Sequence, residues 1–157
     1  MSKNIAVFPG TFDPITKGHV DIVLRGSELF DKVIVAIGLN TKKETLFSLE
    51  QRLEWLKLTF ENHPKIEIKY YEGLTVDFCR QNAAKYMLRG LRSGTDFDYE
   101  SHIAQLNKSL SHEIETIFVL SSPELSYVSS TLVRDLIIHD GEYIRFLPDE
   151  VIITRSK

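Results

Sequence analysis

Cysteine is nearly missing from this chain. Cys79 is the only one in 157 residues, so no internal disulfide can form and no thiolate cluster can hold a metal. Long apolar runs are missing too. Nothing approaches the roughly 18 residues of a membrane span, and the opening MSKN passes into a strand-like run with no apolar signal segment. A cytoplasmic protein with no membrane partner is therefore expected. There is no excess of positive charge, since Lys and Arg total 19 against 22 Asp and Glu, a net −3. Overall electrostatics thus give no reason to bind nucleic acid, and any phosphate chemistry must rest on a local cluster. His63, His102, His112 and His139 lack paired ligand spacing, which argues against zinc, and no metal ligand is assigned. The G-x-S-x-G elbow, the Walker lysine loop and a G-x-G-x-x-G after the first strand are all absent. No repeat, low-complexity segment or linker interrupts the chain, so residues 1–157 read as one domain, long enough to bury a core.

What is present is an alternation of short β-branched runs with longer amphipathic stretches, the pattern of a parallel sheet joined by crossover helices. Strands are predicted at 5–8, 33–38, 66–71, 86–89 and 116–120, each mostly apolar, as strands covered on both faces should be. Helices are predicted at about 19–30, 49–62, 75–85, 97–110 and 131–139. Ser48 with Gln51 forms a candidate capping box, and Gly141 a candidate stop for the last helix. Residues 143–157, with Pro148, suggest a short final element of undecided type.

In an open parallel sheet, ligands bind beyond the carboxyl ends of the strands. The chemistry-bearing residues fall there: PGTFDP and Gly18-His19 after the first strand, NTKKE after the second, RGLRSGTDFDYE after the fourth, SSPELSYVSSTLVR after the fifth. Folding would gather Thr11, His19, Lys43, Arg89, Arg92, Ser129, Ser130 and Thr131 on one rim. Such a set of hydrogen-bond donors suits polyphosphate. Taken singly, each piece has an ordinary explanation. Gly-His is a common helix start, Lys42-Lys43 a solvated turn, and SSTL a Ser-capped helix. Arg89 and Arg92 could pair with Asp96, Asp98 or Glu100, and DFDYE reads better as an acidic first turn than as metal ligands. Cys79 sits in an apolar helix pattern and reads as core.

Combination and order change that reading. GTFDPITKGH, RGLR…DFDYE and SYVSSTLVR together resemble the nucleotidyltransferase superfamily and, within it, the phosphopantetheine adenylyltransferase family, over nearly the whole chain. The superfamily's first motif is commonly H-x-G-H; here it is Thr16-Lys17-Gly18-His19, which matches the T-x-G-H form of the phosphopantetheine branch and removes one possible phosphate contact. The resemblance implies an α/β, Rossmann-like open parallel sheet with helices on both faces. It implies transfer of AMP from Mg-ATP to 4'-phosphopantetheine, giving dephospho-coenzyme A and pyrophosphate, the penultimate step of coenzyme A synthesis. It further implies that His19, Lys43 and Arg92 are catalytic, and that Thr11, Lys43, Thr75 and Arg89 bind the acceptor. ATP would be held by Thr11, Phe12, His19, Gly90, Leu91, Arg92, Glu100, Leu125, Ser126, Tyr127, Val128, Ser129, Ser130 and Thr131. Mg²⁺ would be bound mainly through substrate phosphates, and the assembly would be a homohexamer of two trimers.

The residue types fit that chemistry on their own terms. A phosphate monoester is mostly dianionic at neutral pH, so the attacking oxygen needs no general base. The site must instead align two anions and stabilise charge on the α-phosphorus and the departing pyrophosphate. Two other readings stay open: a superfamily enzyme acting on nicotinate mononucleotide or glycerol 3-phosphate, against which Thr16 argues, and a non-catalytic nucleotide sensor.

Overall fold

The computed structural model describes residues 3–154. Five strands, β1 (Ile5–Gly10), β2 (Lys32–Leu39), β3 (Ile66–Glu72), β4 (Tyr86–Leu91) and β5 (Glu115–Leu120), form one sheet in the order β3-β2-β1-β4-β5, every pairing parallel. Helices α1 (Lys17–Ser27), α2 (Leu49–Thr59), α3 (Thr75–Gln81), α4 (Gly94–Leu110) and α5 (Ser130–Ile138) cross over between strands or follow the last. This is the expected Rossmann-like sheet. Chain order reverses between β1 and β4, which makes the gap beyond their carboxyl ends the topological switch point where ligands bind.

Side-chain alternation along each strand divides the core into two layers. Ala6, Phe8, Val33, Val35, Ile37 and Leu88 face α1, α2 and α5, whose Ile22, Val23, Trp55, Leu56 and Val133 complete that layer. Val7, Ile34, Ala36 and Met87 face the opposite way, toward Val76, Phe78 and Cys79 of α3. Helix α4 lies on this second face: Asn107 reaches the Met87 sulfur and Phe97 meets Phe118 edge-on. Cys79 is buried in this layer and its thiol is pushed up to about 11 by desolvation, in keeping with a core role. On the first face α1 lies close to β4 because Gly26 and Gly90 lack side chains where Leu88 and Ile22 press in.

Helix ends differ from the sequence expectation by a few residues, several of them for a local cause. Helix α1 starts at Lys17 rather than 19 because Thr16 is its N-cap. Helix α4 starts at Gly94 rather than 97 because the Ser93 hydroxyl accepts from the Asp96 N–H. Helix α2 ends at Thr59, and its Ser48 cap accepts from the Gln51 N–H as a one-sided version of the expected box. Helix α3 ends at Gln81, not 85, where Ala83 turns into the left-handed region (φ 52°) and the Ala84 N–H bonds back to the Cys79 carbonyl. The last helix is closed by Asp140 (φ 57°), with the Gly141 N–H donating to the Leu136 carbonyl, so the left-handed residue stands one position before the predicted glycine. The final element is a single 3-10 turn, Ile144–Phe146, and positions 155–157 lie outside the described residues. Among the described residues no helix is long and apolar enough to cross a membrane.

Candidate active site

The site is built where β1 and β4 end. A crevice of about 480 Å³ opens over Pro9, Gly10 and Thr11 and is walled by the N-termini of α1 (Gly18, His19) and α5 (Ser129, Ser130, Thr131). Two helix N-termini facing one space supply unpaired N–H groups and positive dipole ends, a preformed anion site. Lys43, Arg89, Arg92 and Arg134 add four cationic side chains to the same wall.

His19 occupies the third position of α1, where a capping box usually has Glu or Gln. Its Nδ1 accepts the Thr16 N–H at 3.0 Å, and the Thr16 hydroxyl accepts the His19 N–H at 3.4 Å. Because Nδ1 is an acceptor, the neutral ring carries its proton on Nε2, which is left as a donor. Phe12 packs on the ring edge-to-face at 5.0 Å, and Phe8 stands at 6.3 Å. Burial first, then the charges of Arg89 and Arg92, lower the imidazole pKa to about 4. His19 is therefore a neutral, oriented donor at physiological pH. Thr16 itself is buried and committed to the cap at the edge of the crevice. Phe12 is buried with its backbone in the left-handed region (φ 50°), conformational strain of the kind that clusters at ligand sites; its ring works by supporting His19.

The two arginines are paired with carboxylates. Arg89 lies on the α4 face of β4 and is gripped by Glu100 through Nε and Nη2 at 2.8 and 2.6 Å, while Nη1 donates to the Pro9 carbonyl at 2.8 Å. Arg92 grips Asp96 at 2.9 and 3.1 Å, and its hydrogen bonds hold the Asp96 carboxyl below the usual range. Lys43 reaches the Thr11 hydroxyl at 3.4 Å. At α5, Ser129 caps by accepting from Leu132, Ser130 donates to the Pro14 carbonyl at 2.8 Å, and Thr131 accepts from Arg134 at 3.1 Å.

Of the residues singled out from the sequence, Thr11, Phe12, His19, Lys43, Arg89, Gly90, Arg92, Glu100, Val128, Ser129, Ser130 and Thr131 meet in this crevice. Leu91, Leu125, Ser126 and Tyr127 do not line it. Leu125 packs against the core, the Ser126 hydroxyl donates to the Pro123 carbonyl, and Tyr127 is exposed with its ring edge against Phe146. Thr75 lines a second crevice of about 420 Å³ on the α3/α4 face, together with Tyr71, Met87, Ile103, Asn107 and Thr116, and bonds the Tyr71 hydroxyl at 2.8 Å. The two crevices share Pro9, Gly10, Thr11, Arg89, Tyr99 and Glu100. They therefore approach the switch point from opposite faces of the sheet and meet over Thr11 and Arg89. Sequence reasoning missed Arg134, although it follows Thr131 by one helical turn on the same face, and it missed Tyr99 and Asn107, which carry no local signal.

Among the described residues no group of three or more His, Cys, Asp or Glu side chains is placed to hold a metal ion. The nearest carboxylates, Asp96 and Glu100, are engaged by arginines.

Comparison with known proteins adds three findings. Residues 7–136 match the cytidylyltransferase-like family. The chain is 47% identical over 150 residues to a phosphopantetheine adenylyltransferase of Flavobacterium johnsoniae, covering 96% of this chain and 98% of the relative, and 50% identical over 146 residues to the one of Christiangramia forsetii, covering 93% and 96%. In structure it is similar to a bifunctional NMN adenylyltransferase/ADP ribose pyrophosphatase from Francisella tularensis complexed with AMP and a Mn ion, with a TM-score of 0.67 at 20% identity, over 93% of this chain and 44% of that one. At that identity the likeness concerns the fold alone.

Proposed function

The chain belongs to the phosphopantetheine adenylyltransferases within the cytidylyltransferase-like family, and from that membership we propose how its two crevices divide the transfer of AMP from ATP to 4'-phosphopantetheine. ATP occupies the crevice between the N-termini of α1 and α5, and the pantetheine arm lies in the crevice lined by Thr75 and Asn107. One observation carries this reading: the two spaces lie on opposite faces of the sheet and join over Thr11 and Arg89. Crevices that join at one point let the acceptor phosphate meet ATP end to end, and an in-line displacement then places nucleophile and leaving group on opposite sides of the phosphorus.

The acceptor phosphate attacks the α-phosphorus of ATP; a P–O bond forms to the phosphopantetheine phosphate as the bond to pyrophosphate breaks. The dianionic acceptor brings its own charge, so no side chain has to remove a proton. His19 donates from Nε2 to a non-bridging α-oxygen, where charge rises in the transition state. Lys43, close to Thr11, bridges toward the same phosphate. Arg89, with three of its N–H groups held by Glu100 and Pro9, has donors left for the acceptor phosphate. Arg92, Arg134 and the amides of α5 take the triphosphate and then the pyrophosphate. Mg²⁺ would enter on the ATP phosphates and would supply charge neutralisation there, held by those phosphates rather than by a side chain of the crevice.

The whole chain acts as one cytoplasmic catalytic domain in this reading, assembled as a homohexamer. Helix α4 supports the assembly: no residue along its 17 is buried in the single chain, though it bears Phe97, Leu106 and Leu110.

The test is pyrophosphate release from Mg-ATP with 4'-phosphopantetheine, nicotinate mononucleotide or glycerol 3-phosphate as acceptor. Turnover with phosphopantetheine alone is expected. Turnover with another acceptor instead, or tight ATP binding without any turnover, overturns the assignment.

A further inference from the structure

We propose that Asp13 is a positioning residue for this reaction, its buried carboxylate setting the loop that carries Lys43 against the phosphate crevice. The inference rests on the reading that Lys43 acts on the transferred phosphate.

Asp13 is 1% exposed and does not line the crevice. A carboxylate is buried at high cost unless its oxygens are satisfied, and the partners here come from distant segments. Oδ2 accepts the Leu46 N–H and Oδ1 the Phe47 N–H, both at 2.9 Å. Arg134 of α5 approaches Oδ2 at 3.8 Å, donates through Nη1 to the Asp13 carbonyl at 2.8 Å, and through Nη2 to the Thr131 hydroxyl. One residue thus ties together the turn after β1, the loop after β2 and α5, three elements that supply crevice residues.

The loop after β2 has little else to hold it. Residues 40–44 are exposed, and their local bonds, Lys42 N–H to the Asn40 side chain and Lys43 N–H to the Asn40 carbonyl, fold the turn on itself without attaching it to the body. Apart from the Lys43 side chain's contact with Thr11, attachment begins at Leu46 and Phe47, where Asp13 takes both backbone N–H groups and the Phe47 ring packs on Trp55. Arg52 secures the other side, donating to the Thr11 carbonyl at 2.8 Å. A cation on a flexible stem is effective only if its backbone is fixed, since misplacement by about 1 Å can cost on the order of 10²-fold in rate. Asp13 fixes the backbone three residues beyond Lys43.

A double-mutant cycle separates positioning from general structural support, because residues acting through one another are non-additive. In the whole protein, Asp13→Asn is expected to lower kcat by about 10- to 100-fold and to shift KM for ATP far less. In a Lys43→Ala background the same change should cost less than about twofold. Equal fold-losses in both backgrounds overturn the proposal. If Asp13→Asn does not fold by circular dichroism, Leu46→Pro decides. It removes one N–H that Asp13 accepts from, at a residue whose side chain is exposed, and the same loss, confined to the Lys43 background, is expected. Wild-type turnover or additive loss in Leu46→Pro overturns the proposal as well. Should Lys43→Ala leave kcat unchanged, it is the reading of Lys43 that fails, an outcome distinct from failure of Asp13 alone.

Discussion

Removing the His19 ring while following turnover against pH tests whether the reaction uses a donor or a base. The ring's pKa near 4 means that about 1% is protonated at pH 6 in the free enzyme, against about three quarters for an unperturbed histidine. His19 is then already neutral across the working range, and the acidic limb of kcat/KM for phosphopantetheine, near pH 6, belongs to the acceptor's own second ionisation. With Mg-ATP saturating, His19→Ala should displace the whole curve downward by about 10²–10³, roughly 2.7–4 kcal/mol, the cost of losing a transition-state donor. The acidic limb should persist. His19→Gln, whose side-chain amide can donate from near the Nε2 position, should recover part of the loss. A ¹H NMR titration of the free protein should find the His19 ring resonance unmoved from pH 8 to about 5.5. The same depression predicts acid sensitivity. Between pH 6.5 and about 4 the unfolded chain binds the proton that folded His19 refuses, so stability rises with pH through that window and is lost as pH falls. At about 1.4 kcal/mol per pH unit the full effect is at most about 3.5 kcal/mol, reduced by solvent screening at a ring that borders the crevice. Disappearance of the acidic limb in His19→Ala, or a His19 midpoint near 6.5, refutes the donor argument.

Arg89→Lys should raise KM for phosphopantetheine more than it weakens ATP binding, because an ammonium cannot keep both the Glu100 fork and the Pro9 carbonyl while reaching a phosphate; equal losses by titration calorimetry and kinetics would count against this division. Glu100→Gln should move the same way, since it loosens the guanidinium that Glu100 holds in place, and acceptor KM against ATP KM reads it directly. Ser129→Ala should cost about 1 kcal/mol in urea unfolding through loss of the α5 cap, with a larger effect on pyrophosphate affinity than on AMP affinity. Gly26→Ala should destabilise by about 1–3 kcal/mol, because the added methyl meets Leu88 in the closed layer between α1 and β4; an unchanged Tm would show that this layer can yield.

How much of this was legible in the residues follows the range of the forces involved. The kind and order of the elements were written in side-chain period, and the donors at the strand ends were readable because a parallel sheet sends its loops to one rim. Ser129 as a cap and Cys79 as core needed only their neighbours. Pairings across the chain were a different matter. Glu100 was one of three acids already in view for Arg89, but that Arg52 holds Thr11 from 41 positions away and Arg134 holds Asp13 from 121 depends on crossovers bringing separate helices to one point. No local propensity encodes such a meeting. The same holds for Leu91, Leu125, Ser126 and Tyr127, which share motifs with crevice residues yet stand outside its wall because strand alternation and a 3-10 turn aim neighbours differently. Sequence by itself determined the sheet, the rim and the chemistry that the rim can perform. Only the tertiary structure decided which proton His19 carries, which carboxylate each arginine meets, and that two crevices join at Thr11, because hydrogen-bond partners and buried charges are fixed by packing between segments remote in the chain.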